Sequence, residues 1–145
     1  MRIALGSDGL PTAVRADVAQ PSLLEHSGLT NGPKPDNDWT ATMGWLRHAY
    51  AIPALQLNCT RVDRGVPCGY WRSVGASQNT FFYEVAIDEA ARRAGRDPVA
   101  YRLQLLAKDA RARDFVQALA DTAEWNRPLP AGHHRGIAIG MARSE

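Results

Sequence analysis

Residues 66–89 read Val-Pro-Cys-Gly-Tyr-Trp-Arg-Ser-Val-Gly-Ala-Ser-Gln-Asn-Thr-Phe-Phe-Tyr-Glu-Val-Ala-Ile-Asp-Glu, a loop broken by proline and glycine that runs straight into an amphipathic helix. Gly69 and Gly75 bracket Tyr70, Trp71, Arg72, Ser73 and Val74. Glycine lets a backbone bend tightly or approach a ligand closely. Ser77 and Asn79 offer N-cap oxygens, and the helix N-terminus beyond them favours anionic groups. Such a loop can present backbone N–H groups to a cofactor. It can equally be a tight structural turn, with Arg72 a surface arginine stacked on Trp71, and the pattern alone leaves both readings open.

The segments on either side predict an α+β chain. Ser7-Asp8-Gly9-Leu10 separates residues 2–6 from residues 11–19, where Val14, Ala16 and Val18 alternate with Arg15, Asp17 and Ala19. Asp-Gly between alternating runs signals an antiparallel hairpin. Pro21 ends it, and Ser22-Leu23-Leu24 begins one helical turn. Residues 26–44 read as loop, with Asp36-Asn37-Asp38 a turn cluster that lacks the spacing of an EF-hand calcium loop. Leu55, Leu57 and Cys59 alternate with polar neighbours over 54–62, which predicts another strand.

Three helices follow. The first covers about 78–94, with Tyr83, Ile87, Ala90 or Ala91 and Ala94 at helical spacing and Phe82, Val85 and Ala86 widening the stripe. Gly95 stands where a helix C′ residue belongs. Asp97 caps the second helix with Pro98 at its first position, and that helix runs to about Ala107 over Val99, Leu103 and Leu106. The third spans about Ala110 to Glu124, with Phe115, Val116, Leu119 and Ala123 facing inward. Ile137-Ala138-Ile139-Gly140 reads as the start of a final strand. The expected architecture is a small antiparallel sheet covered on one side by three helices, in one partial domain: 1–62 hairpin, loop and strand; 63–77 cofactor-type loop; 78–125 helices; 126–145 loop and truncated strand.

Composition narrows the function classes. A chain of 145 residues with 45% hydrophobic and 22% charged residues is ordinary for one globular core. The net charge of +2 comes from scattered arginines rather than a basic block, so nucleic acid is not an expected partner. No run of about 18 apolar residues suits a membrane span. Met1-Arg2-Ile3-Ala4-Leu5 is too short for a signal-peptide core. Cys59 and Cys68, nine positions apart, fit neither a Cys-x-x-Cys pair nor an iron–sulfur run. His133-His134 has no third ligand at a useful spacing and reads as solvated loop. Glu84 and Asp88 share a helical face and can act as acid and base or hold a metal. Asp88 with Arg92 and Glu89 with Arg93 are also four apart, however, which favours an exposed salt-bridged face. Phosphate-binding P-loop, dinucleotide, serine-hydrolase and zinc-protease motifs are absent.

Pro67-Cys68-Gly69-Tyr70-Trp71-Arg72-Ser73-Val74-Gly75, Ser77-Gln78-Asn79, Phe81-Phe82, Glu84 and Ile87-Asp88-Glu89 together resemble the large subunit of molybdenum hydroxylases, the xanthine dehydrogenase and aldehyde oxidase superfamily. Within it, the chain resembles the branch of isoquinoline 1-oxidoreductase beta subunits and related membrane-associated aldehyde dehydrogenases. The resemblance continues through Ala94-Gly95, Asp97-Pro98-Val99-Ala100-Tyr101-Arg102-Leu103, Leu105-Leu106, Leu129-Pro130-Ala131-Gly132 and Arg135-Gly136. Upstream it takes in Asp8-Gly9, Gln20-Pro21-Ser22 and Tyr50-Ala51-Ile52-Pro53. Residues 66–106 are its specific part.

The resemblance implies a parent oxidoreductase that hydroxylates N-heteroaromatic rings or oxidises aldehydes, with water as oxygen source. It implies a molybdenum–molybdopterin cytosine dinucleotide cofactor. The implied partners are the rest of the large subunit, a small 2Fe-2S subunit, and a small aromatic heterocycle or aldehyde. By the same match Arg72, Ser73, Gly75 and Gln78 are cofactor-binding, the Arg72 backbone amide lying near the metal centre. Val74 and Trp71 border the substrate pocket. Purine-oxidising relatives carry an aromatic residue at the position of Val74, so this departure argues against purines. The family's glutamate base lies near the far C-terminus of its large subunits and has no counterpart here, so no residue, Glu84 included, is assigned as catalytic. Those subunits are several times longer, which leads us to expect an internal piece of one. The alternative is a non-catalytic interaction module or gene remnant that uses the helical face around Phe82 and Phe115.

Overall fold

A computed structural model of the chain describes residues 1–28, 38–46 and 48–140. Strands β1 (Arg2–Leu5) and β2 (Pro11–Gln20) form the expected antiparallel hairpin, with Ile3 opposite Val14 and an irregularity between Ala4 and Leu5. Gly9 takes φ 76° in the turn, where a side chain would be strained, and the Leu10 N–H donates to Asp8 Oδ1 at 3.0 Å.

Strand β3 (Ala54–Arg61) extends the sheet in the order β1-β2-β3. It runs parallel to β2, pairing from Ala13 with Ala54 to Gln20 with Arg61. The sheet is therefore mixed, antiparallel at the hairpin and parallel at its other pairing, within the expected α+β fold. A parallel neighbour needs a crossover of a dozen residues or more, and the stretch between Gln20 and Ala54 supplies it. That stretch carries the short helices α1 (Leu23–His26), capped by Ser22, and α2 (Trp39–Thr42), capped by Asp38. Helix α2 falls inside the segment expected to be loop. Of the turn cluster 36–38, only Asp38 lies within the described residues.

Three longer helices follow: α3 (Ala76–Arg93), α4 (Pro98–Leu105) and α5 (Ala110–Thr122). Gly95, at φ 65°, ends α3. Its N–H donates to Arg92 O at 3.0 Å and the Arg96 N–H to Ala91 O at 2.9 Å, a Schellman arrangement. Asp97 Oδ1 accepts from the Val99 and Ala100 N–H groups at 2.9 Å ahead of Pro98, as its position predicted. The core joins Val14 and Ala16 of β2 to Tyr83, Ile87 and Ala91 of α3, Tyr101 and Leu105 of α4, and Val116 of α5.

Several inward assignments change. In α5 the buried row is Ala112, Val116 and Ala120, while Ala123 and the large Phe115 and Leu119 face outward, the last two 62% and 42% exposed. Small residues at spacing four let α5 sit close to its neighbours, and that turns the bulkier side chains away. Phe82 and Val85 of α3 likewise face out, and Glu84 takes a buried place instead. Residues 137–140 form no strand: Ile137 is buried in the core and Ile139 packs against it as irregular chain.

Candidate functional site

The loop leading into α3 closes in a short turn. The Val74 N–H donates to Trp71 O at 2.9 Å and the Ala76 N–H to Ser73 O at 2.9 Å. Ser73 and Val74 both adopt left-handed backbone, at φ 67° and 50°. For a β-branched residue this is a true outlier, and strain of this kind persists only where the surroundings over-determine it. Ser77 and Asn79 do not cap the helix as expected. Gly75 occupies the N-cap with no side-chain bond, and Ser77 lies inside the first turn, its hydroxyl donating to Arg72 O at 3.1 Å and contacting Ser73 Oγ at 3.2 Å.

What fixes the turn comes from a distant part of the sequence. A Cβ on Gly75 would stand 1.9 Å from the Thr40 carbonyl oxygen of α2, so only glycine fits. Gly44, at φ 84°, also brings its backbone close to α3: a Cβ there would lie 3.2 Å from both Ala76 Cα and Thr80 Oγ1. Asn79 is fully buried, and its Nδ2 donates to Ala41 O at 2.9 Å and to Met43 O at 2.8 Å.

Of the sequence-predicted residues, Arg72, Ser73, Val74 and Gly75 make up the turn, and Gln78 stands exposed on the first turn of α3. Trp71, 84% exposed, stacks on neither Arg72 nor any other ring among the described residues. The Arg72 guanidinium and the Gln78 amide likewise have no hydrogen-bond or ion-pair partner among the described residues. An exposed Ser at φ 67° carries a cost that glycine avoids. Ser73→Gly is therefore expected to raise stability by about 1 kcal/mol, and an unchanged or lower midpoint of thermal unfolding would show that the turn is not held left-handed.

One turn further along α3, the pair expected on a solvated face is largely internal. Glu84 is 4% exposed and Arg102 of α4 is fully buried. Arg102 Nε and Nη2 donate to Glu84 Oε2 at 3.0 and 2.8 Å, and Nη1 donates to Asp88 Oδ1 at 2.6 Å. The Tyr50 hydroxyl donates to Glu84 Oε1 at 2.8 Å. Burial first, and then the Glu84 charge, push the Tyr50 phenol far above its ordinary value, which keeps it a donor. Burial opposes the Arg102 charge, but Tyr50, Glu84 and Asp88 outweigh it and hold the guanidinium protonated. Rings roof this network: Tyr83 stacks on His48 at 4.8 Å and on Tyr50 at 6.1 Å and meets Trp45 edge-on at 5.7 Å. Burial pushes the His48 imidazole below its ordinary value, with the Tyr50 backbone opposing, so it is neutral at pH 7. Glu84 is thus committed to a structural ion pair. On α3 itself the exposed pair is Glu89 with Arg92, at 2.6 Å.

Asn79, read as a helix cap, and Arg102, given no role, are the residues whose part the sequence reading missed. A signal existed for both. Asn79, Tyr83 and Ile87 are spaced by four, and Val99, Arg102 and Leu106 by three and four, so each polar residue sits on a buried stripe. Elsewhere, His133 and His134 are exposed and Cys59 and Cys68 are free. Among the described residues no three His, Cys, Asp or Glu side chains converge as metal ligands, and no helix is long and apolar enough to cross a membrane.

Residues 1–106 match the family described as the molybdopterin cofactor-binding domain. The chain is 33% identical over 94 residues to the beta subunit of isoquinoline 1-oxidoreductase from Brevundimonas diminuta, a match covering 65% of this chain and 12% of that protein. It is 48% identical over 67 residues to a nicotinate dehydrogenase subunit from Pseudomonas putida, covering 44% of this chain and 6% of that protein. The chain thus spans a small part of the length of these relatives.

Proposed function

We infer the function of this chain from one premise: it belongs to the molybdopterin cofactor-binding domain family. The chain contributes one wall of the cofactor site in the large subunit of a molybdenum-dependent oxidoreductase. The observation that carries this reading is the strained Arg72–Gly75 turn inside the family-matched residues. The donor set there fits the group. A molybdopterin, or its cytosine dinucleotide form, is anionic and rich in hydrogen-bond acceptors, and the Arg72 guanidinium and Gln78 amide both stand exposed with no hydrogen-bond partner among the described residues.

The bound cofactor would supply the two-electron oxidation, with oxygen drawn from water. The chain's own residues bind and orient. Arg72 and Gln78 hold the anionic side of the cofactor, Ser73 and Gly75 fix the path of the turn, and Val74 and Trp71 border the substrate. Both relatives are named for N-heteroaromatic compounds, and we carry that substrate class to this chain's parent enzyme ahead of aldehydes. Electrons would leave through a 2Fe-2S subunit. Phe81, Phe82 and Val85 are 63%, 50% and 45% exposed and line a cleft of about 810 Å3 between α3 and the hairpin. An apolar face of this extent fits coverage by the remainder of the large subunit.

The test is a chimera in which residues 1–106 replace their counterpart in the Pseudomonas putida nicotinate dehydrogenase, with pterin and molybdenum counted per enzyme. The expected result is a loaded enzyme whose cofactor content falls about tenfold on Arg72→Ala, the loss of one charge-assisted contact. A folded chimera without pterin would overturn the reading. It would instead favour a non-catalytic interaction module using the exposed Phe82 and Phe115.

A further inference from the structure

We propose that Asn79 is a positioning residue, the latch through which the α2 segment holds the Arg72–Gly75 turn in its strained shape. The inference rests on reading that turn as the cofactor wall, and it adds a device that the turn's own sequence does not contain. Left-handed Ser73 and Val74 would relax to ordinary backbone if the chain around Gly75 were free to move. It is not free, because Gly75 is pressed against the Thr40 carbonyl, where even a methyl group has no room. That contact has no attraction of its own, so something else must hold α2 against the start of α3.

Asn79 does this. Its two amide hydrogens are spent on the Ala41 and Met43 carbonyls, one on each side of the end of α2, at 2.9 and 2.8 Å. The same side chain leaves Oδ1 buried without a partner among the described residues. An amide that gives up one of its own bonds is placed for its donors rather than for general packing. One turn of helix links the latch to the strained residues, since the Asn79 N–H also donates to Gly75 O at 3.1 Å. Gly44 completes the seat, because its positive φ and missing side chain let the segment after α2 lie flat on Ala76 and Thr80.

The experiment uses the full chain and reads the turn directly. Arg72 is exposed, so trypsin under native conditions reports opening of the turn at the Arg72–Ser73 bond, while the Arg111–Ala112 bond reports separate local opening at the start of α5, a motion that leaves the Asn79 bonds in place. Asn79→Ala and Asn79→Asp are each expected to raise cleavage after Arg72 about tenfold or more, through the loss of two buried donors, with cleavage after Arg111 changed less than about twofold. Val116→Ala, which opens a cavity beneath α5, should raise cleavage after Arg111 and leave cleavage after Arg72 unchanged. Equal acceleration at both bonds in the Asn79 variants, or none at either, overturns the proposal. In the unaltered chain, the Asn79 side-chain amide should exchange its hydrogens about a hundredfold more slowly than a free amide, and fast exchange overturns the proposal whether or not the variants fold. Neither readout needs cofactor, so loss of the cofactor reading and loss of the latch are separate results.

Discussion

Gly75→Ala is expected to destabilise the chain by about 3 kcal/mol, near the upper end for forcing one methyl group into a packed site. The added Cβ would meet a backbone oxygen at 1.9 Å, and a carbonyl held in a helix cannot rotate away as a side chain can. Either α2 lifts from α3, breaking both Asn79 bonds, or the turn abandons its left-handed residues. Gly69→Ala, six residues earlier, is the control. Nothing lies within 4 Å of its added Cβ and its φ is not positive, so its effect should stay within about 0.5 kcal/mol. Thermal unfolding of the two variants side by side measures the contrast. Equal midpoints would mean that Gly75 does not make the close approach to Thr40.

Arg102→Met should cost about 3–5 kcal/mol, the usual consequence of removing one partner from a buried ion pair. The methionine fills much of the arginine's volume, so the loss is electrostatic. Glu84, 4% exposed, would keep only the Tyr50 hydroxyl, and Asp88, at the rim with its side chain 40% exposed, would turn to solvent. The double variant Glu84→Gln with Arg102→Met is expected to recover more than half of that loss, because no buried charge remains and the glutamine still accepts from Tyr50. Denaturant unfolding of the wild type, both single variants and the double variant forms the cycle. Additive effects would show that Glu84 and Arg102 do not act as a pair. The pair bridges α3 and α4 on the flank of α3 that leads to the turn, so its loss should also loosen the first turns of α3.

Much of the fold was legible because its signals are local. Asp8-Gly9 fixed the hairpin, and Gly95 followed by Asp97-Pro98 fixed where α3 stops and α4 starts. In each case the chemistry that sets the geometry lies within a few residues. The direction of β3 was not legible in the same way. Alternation shows that a strand exists and which residues share a face, but parallel or antiparallel pairing depends on how the 33 residues between Gln20 and Ala54 travel. Phe115 and Leu119 misled for a related reason. Hydrophobicity suggested an inward row of large residues, whereas the close approach of α5 selected Ala112, Val116 and Ala120.

The candidate site divides along the same line. A glycine-bounded turn carrying Arg72 at the entry to a helix is written in the order of the residues, and its resemblance to molybdenum hydroxylases pointed to the cofactor. Why that turn holds its shape is a matter of contacts between distant segments. Thr40 and Gly44 close on the start of α3, Asn79 reaches Ala41 across 38 residues of chain, and Glu84 finds Arg102 across 18. Local propensity cannot encode such meetings, because they exist only after burial has brought separate segments together and left their polar groups no partner but one another.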